Sequence, residues 1–570
     1  MPLRLAGKSV TEWQVRKIAV IGPGIVGMPM AALLAHAGIR EGTDAPASVL
    51  VVQRDSVTSG WKVDAINAGR SPIGGIEPRL DDIVRQSVAQ GSLRATHDYS
   101  ELGDADVILV CTQTDKRGAA PDYGPLLSAL DGVCAALRHK PAENVPLVIF
   151  ESTLAPSSMA TVIREHFGRH GLEEGRDVLL GNSPNRVMPG RLVERVASSD
   201  KIVGGLHPAT PGLIERLYRR IVTEGTLHPT NSLTAEIIKT FENAYRDVRI
   251  AYTTEIARFC DQHDIDFYAV RDAVNEQLAQ TDGASGDPNA VPSGGLLVPT
   301  VGVGGHCLPK DGILLWWRRL ENRSDYRGSL ILEARRINDG SPARTIALAE
   351  RTFGALERRR VAVLGAAYRF NSEDTRNSPS LVLARLLLDR GCDVSLHDPY
   401  VKPDDQNLVA FGLDGIFNND LSETLRGAEY VIVCTAHVDY VRDGRAVLLE
   451  TASVRGMVDA CNLYHSADFS GSRLRYAGIG RGVGAPDPPF TRFVLEGFRA
   501  VERGVANELK TLVEFFNECY AADSFNRVDF TEVQYLAGTC VTGCAIADPG
   551  PVEAVGYDGF VPDLVQCAAG

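Results

Sequence analysis

The chain has 570 residues, a formal charge of −13 at pH 7, 44% hydrophobic residues and 23% charged residues. This length exceeds what one hydrophobic core supports, so several domains are expected. The acidic balance argues against a nucleic-acid-binding protein. The eleven cysteines are odd in number and scattered, which is typical of a reducing compartment. Because no apolar run is long enough for a membrane span and the first residues do not resemble a signal peptide, we expect a cytoplasmic protein without membrane contact.

The first elements form a dinucleotide-binding pattern. Residues 17–21 are a predicted buried strand, Gly22-Pro-Gly-Ile-Val-Gly27 follows, and an apolar helix is predicted from Met28 to His36. In such a unit the glycines allow a tight turn, and a pyrophosphate rests on the helix N-terminus. The residues to which we assign NAD contact are Gly22, Gly24, Ile25, Val26 and Gly27.

The next strands predict further pocket residues. After the strand 48–53, Asp55 is expected to bind the ribose hydroxyls of NAD, although the neighbouring Arg54 leaves NADP open. Strands at 106–111 and 146–150 end near three polar residues. Loops at the carboxyl ends of parallel strands bind ligands, so these residues are pocket candidates, while each alone also fits a cap or turn. They are Thr114, Glu151 and Thr153.

A long helix is predicted over 231–262 from apolar residues at helical spacing. Lys239 and Asn243 lie one turn apart on one face, a spacing that a solvated polar stripe also explains. A glycine-rich stretch, 300–312, contains Cys307. A thiol in such a loop, near cations or amide donors, becomes a nucleophile, whereas the alternative is a turn with an inert, half-buried cysteine.

A second α/β unit without a GxGxxG follows, with predicted strands at 360–365, 393–397, 430–435 and 456–459 and a helix at 378–390. After residue 489, apolar residues from Phe490 to Phe516 form one helical stripe that must pack on other residues. Cys540 and Cys544 are at most half of a metal site, so no metal is expected.

In this order the motifs resemble those of the nucleotide-sugar dehydrogenase family, which includes the UDP-glucose 6-dehydrogenases. The resemblance covers roughly residues 16–480. It implies two Rossmann-like, doubly wound parallel-sheet domains joined by a long central helix, with a partly helical C-terminal extension. We expect an NAD domain at 1–207, a central helical segment at 208–340, a UDP-binding domain at 341–482 and an extension at 483–570. The motifs that carry the resemblance are Gly22–Gly27, Glu151-Ser-Thr-Leu-Ala-Pro156, Ser183-Pro-Asn-Arg186, Lys239-Thr-Phe-Glu-Asn243, Gly304-Gly-His-Cys-Leu-Pro-Lys-Asp311, Asp374-Thr-Arg-Asn-Ser-Pro379 and His397-Asp-Pro-Tyr400.

The resemblance implies the four-electron oxidation of the primary alcohol of a UDP-hexose to a carboxylate by NAD. Cys307 would form a thiohemiacetal and then a thioester. Lys239 and Asn243 would stabilise negative charge on the substrate oxygen, and Asp311 would belong to the general-base system. Thr153 matches a threonine near the nicotinamide, and Glu151 is placed with the cofactor.

The resemblance also implies a substrate set and a homodimer built on the long helix. Lys310 would meet the phosphates or a neighbouring acid, and Arg376 suits a diphosphate. Asn185 occupies a position where many members carry a glutamate assigned to thioester hydrolysis, so Asp311, Glu151 or a solvent chain would have to cover that step. The residues expected to bind the UDP-sugar are Asn185, Arg186, Gly304, Gly305, Lys310 and Arg376.

Three alternatives stay open from the sequence. The same chemistry on UDP-GlcNAc or UDP-ManNAc competes with UDP-glucose, since His306 beside Cys307 fits the loops of the N-acetylhexosamine enzymes. A two-electron alcohol or hydroxyacid dehydrogenase would have no use for Cys307. A sugar-nucleotide-binding protein, catalytically impaired at Asn185, would bind ligand without forming NADH.

Overall fold

The structure is a computed structural model that describes residues 13–74, 77–138, 140, 145–187, 190–278, 295–321, 328–539 and 546–570, with the backbone of 4–5 and 8–9. Two compact units are present. The first comprises residues 1–242, 314–324 and 509–545, and the second comprises residues 243–313, 325–508 and 546–570. Each unit contains one large sheet.

Eighteen strands are found in the described residues. They are β1 Arg4–Leu5, β2 Lys8–Ser9, β3 Lys17–Ile21, β4 Ser48–Val52, β5 Leu93–Thr96, β6 Val107–Val110, β7 Asp115–Arg117, β8 Ala120–Asp122, β9 Leu147–Phe150, β10 Leu179–Asn182, β11 Lys201–Gly205, β12 Leu227–Asn231, β13 Arg360–Leu364, β14 Asp393–His397, β15 Phe417–Asn418, β16 Tyr430–Val433, β17 Gly456–Asp459 and β18 Arg475–Gly478.

The same residues contain nineteen α-helices. They are α1 Gly27–Ala37, α2 Trp61–Asn67, α3 Leu80–Ala89, α4 Gly124–Leu137, α5 Arg164–Arg169, α6 Leu192–Ser198, α7 Thr210–Tyr218, α8 Ser232–His263, α9 Phe267–Leu278, α10 Leu308–Glu321, α11 Leu330–Asp339, α12 Ser341–Phe353, α13 Pro379–Asp389, α14 Gln406–Phe411, α15 Leu421–Leu425, α16 Arg445–Glu450, α17 Pro488–Tyr520, α18 Phe530–Gly538 and α19 Asp563–Ala569.

The sheet of the first unit has the order β12-β11-β10-β9-β6-β3-β4-β5. The strands from β10 to β5 are parallel, and their order is that of a Rossmann fold. Both faces of the sheet are covered, since Ile18 and Val20 of β3 face one apolar core while Ala19 and Ile21 face the other. This two-sided burial explains the continuous apolar runs of the central strands.

The sheet of the second unit has the order β15-β14-β13-β16-β17-β18 and is entirely parallel. It repeats the Rossmann order, with Val361 and Val363 of β13 facing one core and Ala362 and Leu364 facing the other. In both sheets the chain adds strands to one side of the first strand and then crosses over to add the next strands on its other side. This reversal falls between β3 and β6 in the first sheet and between β13 and β16 in the second. A ligand crevice is expected at each of these switch points.

The predicted fold class is confirmed, as are the predicted strands and the long helix, which is α8. The sequence did not predict β11 and β12, which extend the first sheet. There β11 pairs antiparallel with β10 and parallel with β12. Among the helices of the described residues, none is long and apolar enough to cross a membrane.

The predicted apolar stripe of the tail lies in α17, a helix of 33 residues. In the second unit α17 packs on α8, where Phe490 stacks on Phe259 with ring centroids 5.2 Å apart. The hydroxyl of Tyr252 donates to Val494 O at 2.8 Å. This packing accounts for the stripe, because it removes the apolar face of α17 from water.

Candidate active site

The turn between β3 and α1 fits a dinucleotide pyrophosphate. A side chain on Gly27 would collide with Gly22 O, so the third glycine is required for the close approach of helix and turn. Gly22 has φ +87°. At Gly24 an added Cβ would meet no atom within 4 Å, which leaves the open space that a phosphate needs. Ile25 and Val26 complete the turn and are half-buried.

Asp55 lies three residues beyond the end of β4 and is exposed, as is Arg54. The carboxylate of Asp55 lies beside Gly60, since an added Cβ at Gly60 would be 2.9 Å from Oδ1. The first unit therefore places an exposed carboxylate shortly after the second strand of its sheet, at the sequence position predicted for a ribose contact.

The two threonines predicted for the pocket are linked to each other. Thr114 follows β6, is 3% exposed and donates its hydroxyl to Thr153 O at 2.7 Å. Thr153 follows β9, which is paired with β6. The hydrogen bond joins the loops at the carboxyl ends of these strands, and the side chain of Thr153 remains half-buried.

Glu151 lies at the centre of a buried polar cluster. Lys201 Nζ is 2.7 Å from Oε2, and Asn185 Nδ2 donates to the same oxygen at 3.2 Å. The hydroxyl of Tyr218 donates to Oε1. Burial raises the pKa of Tyr218 well above its ordinary value, and the charge of Glu151 acts in the same direction. Every oxygen of this carboxylate thus has an internal donor, and the side chain connects β9, β11 and α7.

Arg186 is bound by residues that the sequence analysis did not select. Its side chain is 4% exposed and forms an ion pair with Glu242 of α8. It also donates to Leu536 O at 3.0 Å and to the hydroxyl of Thr539 at 3.2 Å, at the end of α18. Burial raises the pKa of Glu242. In the first unit the C-terminal extension therefore holds a residue that the sequence analysis assigned to the substrate.

The loop before Cys307 lies tightly against Tyr368 and the segment 374–379. Gly305 has φ +88°, and an added Cβ would be 2.9 Å from Tyr368 Cζ. A Cβ on Gly304 would collide with the same ring. Gly305 N donates to Arg376 O at 2.8 Å, and Asn377 Nδ2 donates to Gly305 O at 3.0 Å. These contacts place the half-buried Cys307 directly before α10.

Arg376 contributes positive charge beside Cys307. Its guanidinium forms a bidentate ion pair with Asp374, with distances of 2.9 and 2.5 Å. The hydrogen bond to Asp374 raises the pKa of Arg376, and Cys307 acts in the same direction. Burial likewise raises the pKa of Tyr368 to about 12, with smaller contributions that include Cys307.

Asp311 is held by both of its oxygens one turn after Cys307. Asn243 Nδ2 donates to Oδ2 at 2.6 Å, and Lys310 Nζ pairs with Oδ1 at 2.6 Å. Both Lys310 and Asp311 are buried, at 2% and 0% exposure. Lys310 thus meets a neighbouring acid, which is one of its two predicted roles. The amides of Lys310 and Asp311 also donate to Cys307 O, at 3.1 and 3.0 Å.

Lys239 of α8 is 9% exposed and forms no ion pair with the residues that the structure describes. The charge of Lys239 opposes the rise in the pKa of Glu242 that burial causes, so a carboxyl group three residues along α8 lies within its electrostatic reach. Cys540 and Cys544, considered above for half of a metal site, lie outside the described residues.

Four residues that complete these clusters are missing from the sequence analysis. Three of them lie in or near apolar segments, where the sequence pattern indicates only a buried strand, helix or turn. They are Lys201, Tyr218 and Tyr368. Glu242 lies within the quoted Lys239–Asn243 motif, so its position was a signal that could have drawn attention to it. Their partners are distant in sequence, and no local pattern indicates such pairs.

Comparison with known sequences finds three domains of one family in order along the chain. Residues 16–222 match the NAD binding domain of the UDP-glucose/GDP-mannose dehydrogenase family, residues 233–340 match its central domain, and residues 362–466 match its UDP binding domain. The NAD binding domain contains the Gly22–Gly27 turn, which fits the pyrophosphate, and the cofactor is therefore NAD.

Individual relatives agree with these matches. A UDP-N-acetyl-D-mannosamine dehydrogenase of Pyrococcus horikoshii is 30% identical over 474 residues, covering 82% of this chain and 99% of the relative. The solved structure of the UDP-D-ManNAc dehydrogenase from Pyrococcus horikoshii has a TM-score of 0.67 at 30% identity, covering 82% and 99% of the two chains. That of an NDP-N-acetyl-D-galactosaminuronic acid dehydrogenase from Methanosarcina mazei has a TM-score of 0.65 at 32% identity, covering 82% and 96%. With three domain matches in order on two Rossmann sheets, the chain belongs to the UDP-glucose/GDP-mannose dehydrogenase family of NAD-dependent nucleotide-sugar dehydrogenases.

Proposed function

We propose that the protein is a UDP-N-acetylhexosamine 6-dehydrogenase that oxidises the C6 alcohol of the sugar to a carboxylate. The sequence analysis gave UDP-glucose as the first expectation and the N-acetylated sugars as an alternative, and the proposal now prefers that alternative. The proposal on the sugar is supported by the relatives, because those compared above are named for N-acetylated sugars at 30–32% identity. His306 beside Cys307 is consistent with it.

The observation that carries the chemistry is the arrangement around Cys307. A half-buried thiol lies directly before α10 and close to the Arg376 guanidinium, and a fully buried carboxylate, Asp311, is held one turn away by Asn243 and Lys310. A two-electron dehydrogenase also needs a proton acceptor, but it has no use for the thiol, because it releases its carbonyl product. A four-electron oxidation needs both a nucleophile that retains the aldehyde and a proton acceptor.

The proposed steps balance as one alcohol, two NAD⁺ and one water giving one carboxylate, two NADH and three protons. NAD⁺, held at the Gly22–Gly27 turn, would supply the acceptor for the electron pair of each oxidation. Lys239 and Asn243 stabilise negative charge on the substrate oxygen. The Cys307 sulfur then bonds to the aldehyde carbon, and the thiohemiacetal loses a second electron pair to become a thioester. Asp311 takes a proton from the water that cleaves the C–S bond and restores the thiol.

Hydrolysis of the thioester is assigned to Asp311 rather than to Asn185 or Glu151. Asn185 is a neutral amide that donates to Glu151, and the oxygens of Glu151 already accept from Asn185, Lys201 and Tyr218. Asp311 is preferred because it lies one turn after Cys307 in the second unit, whereas Glu151 belongs to the first unit. Both carboxylates accept hydrogen bonds on both oxygens, which makes each a weaker proton acceptor for a water. This shared property favours a second candidate, an enzyme that accumulates the thioester and acts as a sugar-nucleotide-binding protein.

The test measures NADH formed per sugar from UDP-ManNAc, UDP-GlcNAc, UDP-GalNAc and UDP-glucose, each offered separately. We expect two NADH per sugar from an N-acetylated substrate and none in Cys307→Ser. Cys567→Ser is the matched control, since Cys567 is also half-buried in the second unit. Turnover of UDP-glucose alone would reject the proposed sugar. One NADH per chain followed by arrest would favour the second candidate.

A further inference from the structure

Three potential metal ligands converge in the first unit, away from the residues considered so far. They are Cys134 of α4, His166 of α5 and His170, which follows α5 directly. The Cys134 sulfur and one ring nitrogen from each histidine all lie within 4.8 Å of one another. A carboxylate joins them, since Asp131 Oδ1 is 3.1 Å from Nε2 of both histidines.

The local sequence explains why the four side chains meet. Asp131 and Cys134 are three residues apart on α4, and His166 of α5 is four residues before His170, which caps that helix, so the members of each pair lie one turn apart. Cys134 is fully buried and the side chain of His166 is 10% exposed, while that of Asp131 is 59% exposed. The cluster therefore reaches from the core to the surface, which gives an ion a path of entry.

The cluster is incompletely satisfied by protein groups. Nε2 of His166 is buried and has no hydrogen-bond partner among the described residues, although Asp131 Oδ1 lies 3.1 Å away. A buried polar atom in this state costs free energy unless a further group binds it.

One cation contacts the cluster at His170. Arg138 Nη2 is 3.2 Å from Nδ1 of this ring, whereas Nε2 of the ring lies 3.1 Å from Asp131 Oδ1. Arg138 Nε also donates to His170 O at 2.9 Å. Arg169, which is exposed, pairs with Glu165.

We propose that Cys134, His166, His170 and Asp131 bind one divalent transition-metal ion of the zinc class, which joins α4 to α5. One thiolate, two imidazoles and one carboxylate form a tetrahedral set whose net charge with the ion is zero. Tetrahedral ligand atoms around zinc are about 3.3–3.8 Å apart, so Cys134, His166 and His170, whose ligand atoms lie within 4.8 Å of one another, must close by roughly 1 Å. The Asp131 carboxylate, which lies beside the two histidines, must in addition move towards the sulfur. Binding forms a sulfur–metal bond and releases the thiol proton of Cys134 to water.

This site differs from the sequence-based expectation of no metal. That expectation considered only the cysteine pair near residue 540, and the distance in sequence between Cys134 and His166 concealed the cluster. The proposed ion is structural and takes no part in the chemistry at Cys307, so a failed metal test leaves the proposed function unaffected.

The test is a Co²⁺ titration of the full chain purified without metal. We expect one Co²⁺ per chain, a sulfur-to-cobalt charge-transfer band and the visible absorption of tetrahedral cobalt. Cys134→Ser should lose the charge-transfer band, and His170→Gln and Asp131→Asn should weaken binding at least about tenfold. Zn²⁺ should displace Co²⁺ and raise the melting temperature as its concentration exceeds the dissociation constant. Cys392→Ser is the matched control, since Cys392 is also buried.

Two results would overturn the proposal. The first is the absence of stoichiometric Co²⁺ binding, or binding of equal affinity in His170→Gln and Asp131→Asn. These two positions are less buried than Cys134, so their variants answer the question even if Cys134→Ser does not fold. The second is a charge-transfer band that persists in Cys134→Ser and disappears in Cys307→Ser, which would place the ion on Cys307.

Discussion

Several residues around the candidate site are charged and buried, and their partners hold them in the core. Lys310 and Asp311 are the clearest pair, because both side chains are almost fully buried and are adjacent in sequence. Removing one member of a buried ion pair leaves an uncompensated charge, which usually costs more than the pair itself contributes. Stability and catalysis at this pair can therefore be separated by substitution.

Lys310→Met should lower the free energy of unfolding by about 3–5 kcal/mol, because Asp311 keeps its charge without a counter-ion. Lys310→Met/Asp311→Asn removes both charges and should recover most of that loss. The double variant should still lack activity, since the proposed proton acceptor is gone. Denaturant unfolding and NADH formation measure the two effects, and unchanged stability in Lys310→Met would contradict the ion pair.

At the scale of elements, the C-terminal helices contact each of the two units, although they lie beyond the residues that match the family domains. In the first unit, residues near the end of α18 accept hydrogen bonds from Arg186, and Asn231 donates to Phe525 O and Arg527 O. In the second unit α17 covers one face of α8, and Glu508 accepts hydrogen bonds from Ser329 and Leu330. The extension is thus an integral part of each unit.

Phe490→Ala tests this packing of α17. Phe490 is 1% exposed and contacts the rings of Phe259 and Tyr557, with centroids 5.2 and 5.1 Å away. Its truncation should lower the free energy of unfolding by about 3–5 kcal/mol, because transfer and cavity terms add. The matched control is Val483→Ala, at an 87% exposed position, which should change stability little. Equal stability of the two variants would show that α17 does not pack on α8 in solution.

At the scale of the whole molecule, buried carboxyl groups predict a pH-dependent stability. Burial raises the pKa of Glu236 from 4.5 to about 8, although the Ser157 and Met159 amides that donate to it act in the opposite direction. The folded chain therefore holds a proton that the unfolded chain releases. The contribution of Glu236 to the free energy of unfolding is therefore fully present below about pH 4.5 and is lost as the pH rises towards 8.

Glu236→Gln should reduce the decrease in unfolding free energy between pH 5 and 8, since glutamine does not titrate. Glu450→Gln, at an exposed position, is the control and should leave the slope unchanged. Denaturant unfolding at several pH values measures both. A slope as steep in Glu236→Gln as in the unsubstituted chain would show that other buried acids, such as Asp261 with a pKa raised by burial to about 7, dominate.

The homodimer stays a prediction, and a dimer built on α8 must leave room for α17.

The elements were predictable because their signals are local. The strands β3, β4, β6 and β9 appear as short apolar runs, and α8 and α17 as apolar residues at helical spacing. The loop of Cys307 and the NAD turn were predictable from their glycines. Closely spaced glycines in a sequence indicate places where the backbone approaches a ligand or another segment closely. The strands β11 and β12 were missed because Gly204, Gly205 and Pro229 interrupt their apolar pattern.

By itself, the sequence determined the order of the two Rossmann sheets, the cofactor turn and the identity of the nucleophile candidate. Only the tertiary structure decided which side chains pair: Asn243 with Asp311, 68 residues apart; Glu151 with Lys201 and Tyr218; and Arg186 with α18, 350 residues along the chain. It likewise brought Cys134 to His166 and His170. The physical reason is that backbone periodicity depends on neighbours in sequence, whereas hydrogen bonds and ion pairs between buried side chains depend on how distant elements pack.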